Sequence, residues 1–345
     1  MATLWADNFY DTAAGANVLS MGYLGYGASP SLVTTTGPRA TAYSVNLDRN
    51  YSFTVPLSTA ATTVFVSFAL RITSGSPSST AFFGGFRDSA DSAVASMSVT
   101  SAGEWQISSG ASTAVSSGAG VTSGTWKWWT MKVVMADGTG GSIELKDSTG
   151  TTIASLTGID TKPGVPAVPA TFIFNPSAGA WGSIVNRLTD LHIWDNTGSI
   201  CNDWTGETQI DTLYPNAAGD STQWTPSAGA NFECVDEAQA TTADFVSTSG
   251  SNTGFKDLYN MTNLSVSPVS VFSVIATAYA EKLNAGAGNI KLLCKSGATT
   301  STGSTKALPS GSQNRVVQVF EANPATSTAW TQTTINAAQI GIEVA

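Results

Sequence analysis

The side chains able to do acid–base, nucleophilic or metal chemistry are few in this chain and poorly spaced for it. His192 is the one histidine in 345 residues. Serine catalysis needs a base within hydrogen-bond reach of the nucleophile, and no Gly-x-Ser-x-Gly turn is present. His192 alternates with Leu191 and Ile193 and reads as an inert position in a strand. Glycosidic cleavage needs two carboxylates flanking the scissile bond. Glu144 and Asp147 have the wrong spacing for that and run into a turn, and Glu104 stands alone beside Trp105. Solvent-facing carboxylates account for all three.

Metal chemistry fares no better. Asp190, Asp195 and Asn196 are near enough in sequence to be weighed as calcium ligands, as are Asp88 and Asp91. Calcium asks for several oxygens from one loop, and Asp-Asn-x-Gly is ordinary turn chemistry. Cys201, Cys234 and Cys294 lie far apart without a Cys-x-x-Cys pair, and read as buried thiols acting as small hydrophobes. No glycine-rich loop leads into a helix, so nucleotide binding has no support. We expect no catalytic residue, no metal and no cofactor.

The ten tryptophans are the remaining functional candidates. Trp126 and Trp128 fall on one face of a predicted strand and Trp129 on the other, so Trp126 and Trp128 are the candidates for stacking against sugar rings. Packing in a core or an interface is the commoner fate of a large aromatic.

Charge narrows the partners. Fifteen basic and twenty-four acidic residues leave a net charge of −9. The basic residues stand singly from Arg39 to Arg315, with no stripe to neutralise phosphates or a lipid surface. Neither nucleic acid nor an anionic membrane is an expected partner. The start of the chain lacks a basic and an apolar signal region, and Val269–Ala280 is too short to insert, so synthesis in a cytosol is expected.

Those side chains must be positioned by strands. Charged residues make up 11% of the chain, against roughly 25% in an average domain, and hydrophobic ones 42%. Apolar–polar alternation predicts strands at Thr62–Ile72, Ala81–Arg87, Glu104–Ser108, Trp126–Met135, Ser142–Lys146, Thr151–Leu156, Ala170–Asn175 and Ser183–Trp194. Asp137-Gly138 and Asp147-Ser148-Thr149-Gly150 read as hairpin turns, and Thr113–Gly124 as a loop or weak edge strand. Lys162-Pro163-Gly164-Val165-Pro166 reads as a loop.

Beyond a turn at Asp195–Gly198, further strands are predicted at Thr208–Tyr214, Gly254–Met261, Pro268–Glu281, Asn289–Ser296, Arg315–Glu321 and Gly341–Val344. Short helices are predicted at Val235–Thr241 and Thr334–Gln339, the latter stopped by Gly341. The expected organisation is all-β: a sandwich over residues 1–198 and a second β-sandwich-like domain over 199–345.

The strand rhythm and the closing segment Leu188–Trp194 (LTDLHIW) resemble the concanavalin/laminin-G-like jelly roll. Ordered patches further on are similar to tailed-bacteriophage virion structural proteins. They include Cys201–Glu207 (CNDWTGE), Ile210–Pro215, Trp224–Pro226, Gly229–Asn231, Asp244–Val246, Asn323–Pro324 and Ile335–Gly341. That resemblance implies a non-enzymatic component of a phage particle, tail- or fibre-associated, made in the bacterial cytoplasm and residing in the virion. Its implied partners are other virion proteins and copies of itself. Capsid decoration is one alternative role. A carbohydrate-binding module gripping host surface glycans through Trp126 and Trp128 is the other.

Overall fold

A computed structural model describes residues 3–9, 23–25, 29–30, 33–39, 42–47, 51–73, 75–121, 124–162, 168–175, 181, 184–237, 241–284, 286 and 288–345. The predicted loop at 162–166 falls almost wholly outside them. The protein is all-β, and the chain forms two compact units, Met1–Ile210 and Asp211–Ala345.

In the first unit the hydrophobic strand Thr63–Ile72 is central to one sheet. It pairs antiparallel with Lys127–Val134 on one side and Asn186–Asp195 on the other. Gly141–Asp147 and Thr152–Ile159 extend the first side as successive hairpins, turning at Gly138 (φ 64°) and Gly150 (φ 83°). These are the turns expected from sequence, since glycine reaches positive φ without a Cβ clash. Ser44–Leu47, Val33–Thr34 and Thr3–Asp7 complete the other side.

The facing sheet runs in order through Ser112–Gly120, Glu104–Ser109, Ala93–Val99, Ala81–Arg87, Thr171–Phe174, Tyr51–Pro56 and Leu24–Gly25. The low-complexity stretch is thus an edge strand. Alternate residues fill the space between the sheets. Phe68, Phe83, Trp105, Trp129 and Phe174 form a fully buried aromatic cluster with ring centroids 5.4–6.3 Å apart. Each such side chain contributes about 1.5–3 kcal/mol by leaving water.

Asn186–Asp195 departs from strict alternation. Thr189 pairs with Ala69 but His192 pairs with Ser67, so three residues of one strand span two of its neighbour. Asp190 sits in this bulge at φ 49°. Before it, Asn186 and Leu188 point inward; after it, Leu191 and Ile193 do.

The segment 199–210, expected to open the second domain, belongs to the first unit. Thr208–Tyr214 forms no strand. The backbone of Ile210 is occupied elsewhere: its N–H donates to Asp190, and its carbonyl accepts from Arg39 and Asn8. Strand pairing begins instead at Pro215–Thr222.

In the second unit Pro215–Thr222, Lys256–Met261, Gln339–Val344, Asn289–Ser296 and Thr299–Thr302 form a sheet in that order. Val274–Ala280 pairs separately with Asn314–Phe320. Leu292, Cys294, Val316, Phe320, Trp330 and Ile335 pack in the core. The final helix is Gln332–Asn336, capped by Thr331, and an earlier 3-10 turn lies at Asn231–Cys234; of the expected helix Val235–Thr241, residues 235–237 are not helical and 238–240 lie outside the described residues. Gly341 does not stop the helix. It lies within the last strand, where any Cβ would run into the Asp257 carbonyl.

Candidate functional site

The outer face of the Thr63–Ile72 sheet is built as cross-strand rows, because residues in register point the same way. One row runs Glu144, Lys132, Phe65, Trp194, and the next Lys146, Thr130, Ser67, His192. These are outward positions, yet Phe65, Ser67, Thr130, His192 and Trp194 are buried. Residues 199–210 lie over them.

The cover is held by several specific contacts. Trp204 meets Phe65 edge-on at 5.8 Å, and Lys146 Nζ sits 4.2 Å from the Trp204 ring centroid. Trp194 Nε1 donates to the Asp203 carbonyl at 3.1 Å. At the end of the cover, Arg39 grips Asp190 with two hydrogen bonds of 2.6 and 2.8 Å, and the Ile210 N–H adds a third at 3.0 Å. Burial pushes the Asp190 carboxyl up from the usual range, against the pull of Arg39 and the Ile210 N–H.

The rows beyond Asp190 are different. Arg71 and Arg187 pair directly across two strands, and Arg187 pairs in turn with Asn46. Lys127 pairs with Leu70, so Trp126 follows at the level of Arg71, whose Nε donates to the Gly124 carbonyl at 3.1 Å. Trp128 occupies the adjoining row with Ala69 and Thr189. Trp126, Trp128, Arg71, Arg187 and Asn46 are all half-buried. Asn46 Oδ1 and Arg187 Nε are buried atoms without a hydrogen-bond partner. Trp128 Nε1 also meets no partner in hydrogen-bond geometry, although it lies near enough to Asp190 to favour the carboxylate.

Of the two expected stacking residues, Trp126 therefore lies in the half-buried arginine row, whereas Trp128 shares a row with the buried Ala69 and Thr189, at the edge of the cover. Arg71, Arg187 and Asn46 were missed, because only strand register brings them together.

The other chemical candidates have structural duties. His192 stacks on Trp194 at 4.5 Å, and its Nε2 lies 3.1 Å from Thr3 Oγ1. Burial drives its pKa down to about 3, so it is held neutral. Cys201 Sγ is 4.0 Å from the same nitrogen, inside the cover. Asp88 Oδ1 accepts from the N–H groups of Ala90 and Ser92, and Asp195 Oδ1 from that of Thr197. These are turn contacts. Glu144 pairs with Lys146 at 3.5 Å. Among the described residues no group of three His, Cys, Asp or Glu could hold a metal ion, and no helix is long and apolar enough to cross a membrane.

No family model and no curated protein matches the chain. Among solved structures, a sialidase is 14% identical with a TM-score of 0.40, covering 55% of this chain and 18% of its own. The binding domain of Paraclostridial Mosquitocidal Protein 1 is 13% identical with a TM-score of 0.36, covering 49% and 43%. Alginate lyase Aly36B is 15% identical with a TM-score of 0.39, covering 56% and 96%. This chain thus spans about a fifth of the sialidase and less than half of the binding domain.

Likeness at this level says nothing of activity. The expectation of a tail, fibre or capsid component is withdrawn: the similar structures include a sialidase, alginate lyases and a binding domain. That expectation rested on ordered short patches between Cys201 and Gly341, each only a few residues long, with scarce charge and strand rhythm in support. The last two belong to any Ser-, Thr- and Gly-rich β-sandwich, whatever surrounds it.

Proposed function

We propose that the first unit is a carbohydrate-binding module, and that it holds glycans without cleaving them. The observation that carries this reading is the placing of Trp126 in the half-buried row of Arg71, Arg187 and Asn46, with Trp128 in the adjoining row. Sugar recognition needs that combination. A flat aromatic surface takes the C–H face of a pyranose, and planar polar groups at its edge take the hydroxyls. Cleavage would require an acid–base pair. On this face the one imidazole is buried and held neutral, and Glu144 is engaged by Lys146.

The test is a glycan array probed with the full chain, followed by titration of the hits. Trp126→Ala is expected to weaken binding at least tenfold with little change in melting temperature, and Trp128→Ala to weaken it further with some loss of stability. No reducing ends should be released from a bound polysaccharide. A blank array, or hits that survive both substitutions, would overturn the reading.

A further inference from the structure

Two guanidinium groups set opposite each other on adjacent strands repel, and such like-charge pairs cost stability. Elsewhere among the described residues several cations have a carboxylate partner. Arg39, Arg87, Lys132, Lys146, Lys256 and Lys295 all have a carboxylate within 4 Å. Arg71 and Arg187 have none, in a chain with a net charge of −9. The buried Arg187 Nε has no hydrogen-bond acceptor, although an unsatisfied buried donor is itself costly. The row is completed by an aromatic ring, Trp126, at one end and an amide with an unused acceptor, Asn46, at the other.

We propose that this row selects a carboxylate-bearing sugar, a uronate or a sialate. The inference rests on the glycan-binding reading above and names its substrate class. The sugar carboxylate would lie between Arg71 and Arg187, each guanidinium offering paired N–H donors that match its planar geometry. The ring would lie against Trp126. Two cations on an acidic protein suit a single carboxylate per site. They do not suit a polyphosphate backbone, which is bound through many cations along a stripe.

The experiment measures binding of the full chain to a polyuronate, to the same polymer after chemical reduction of its carboxyl groups, and to a single-stranded oligonucleotide. The polyuronate is expected to bind at least tenfold tighter than its reduced form, with the advantage shrinking as salt is raised. Arg71→Met and Arg187→Met should each remove most of that advantage while leaving the melting temperature unchanged or higher. A residue serving only the fold would lower the melting temperature instead. Equal binding of the two polymers would overturn the acidic preference alone and leave glycan binding standing. Failure of both to bind would overturn both proposals. Tighter binding of the oligonucleotide would replace the sugar with a phosphate ligand.

Discussion

The outer face of the Thr63–Ile72 sheet has a covered half and an uncovered half, built from the same strands. Around His192 and Trp194, residues 199–210 close over it and every cation finds an anion or a ring. Around Arg71 and Arg187, about 13–20 Å along the same strands, two cations sit side by side without a carboxylate partner. The covered half has the features of a second small core: dry aromatics, a neutral imidazole and a buried ion pair. Both halves retain unmet polar atoms, Ser67 Oγ and His192 Nδ1 under the cover and Asn46 Oδ1 and Arg187 Nε beyond it, but only the second half sets two cations opposite each other, the feature expected of a surface whose partner is not part of the chain.

If the covered half is a core, damage there should be severe. Asp190→Ala would strand the Arg39 guanidinium and leave the Ile210 N–H without its acceptor. A loss of about 3–5 kcal/mol is expected, as for other broken buried pairs, measured by urea unfolding of the full chain. A change below 1 kcal/mol would show that the clasp is ornamental. Trp204→Ala, which bares Phe65 and releases Lys146, should cost about 2–3 kcal/mol, less than a fully buried tryptophan because Trp204 is half-buried.

His192 supplies the pH dependence. Its proton affinity is depressed in the folded state, so the unfolded chain takes up the proton first. The stability this confers is complete above the ordinary histidine pKa near 6.5 and falls as pH drops toward about 3. At pH 5 the loss should be about 2 kcal/mol, and His192→Gln should abolish this part of the slope. An unchanged slope in that variant would mean that the imidazole is not shielded as described.

The smallest expected effect has the opposite sign. Arg187→Glu should stabilise the protein by about 0.5–1 kcal/mol, by turning a repulsive cross-strand pair into an attractive one. Binding of an acidic sugar should be lost in the same variant. Stabilisation by mutation is the usual mark of a position kept for function. A destabilised Arg187→Glu would make the two halves alike and remove the contrast.

The hairpins from Lys127 to Ile159 were legible in the sequence because period-two alternation and Asp-Gly or Thr-Gly turns agree there. The inward position of Trp129 followed from the same parity. Even the bulge left a trace, since apolar Leu188 is followed by Leu191 and Ile193 rather than by residue 190. The cover was not legible: Ile210 sits in an apolar–polar alternation like that of a strand, and only the tertiary demands of Asp190 and Arg39 take up its backbone groups. The arginine row was invisible for a similar reason. Arg71 and Arg187 lie on strands far apart in sequence, and which residues face each other depends on register and on the bulge between them. Single scattered charges therefore understate how charge gathers on a sheet.

The bulge in Asn186–Asp195 holds one residue more than plain alternation needs. Taking out Asp190 would leave Thr189 opposite Ala69 and His192 opposite Ser67, with Leu191 filling the single place between them, so every later side chain would keep its face. The extra residue therefore serves its carboxylate contacts and not the register: its loss would remove the hydrogen bonds to Arg39 and Ile210 and spare the core. A one-residue deletion in the regular run from His192 onward would instead turn the residues beyond it to the opposite face. Relatives of this chain that keep the bulge should carry Asn, Asp or Gly at the position of Asp190.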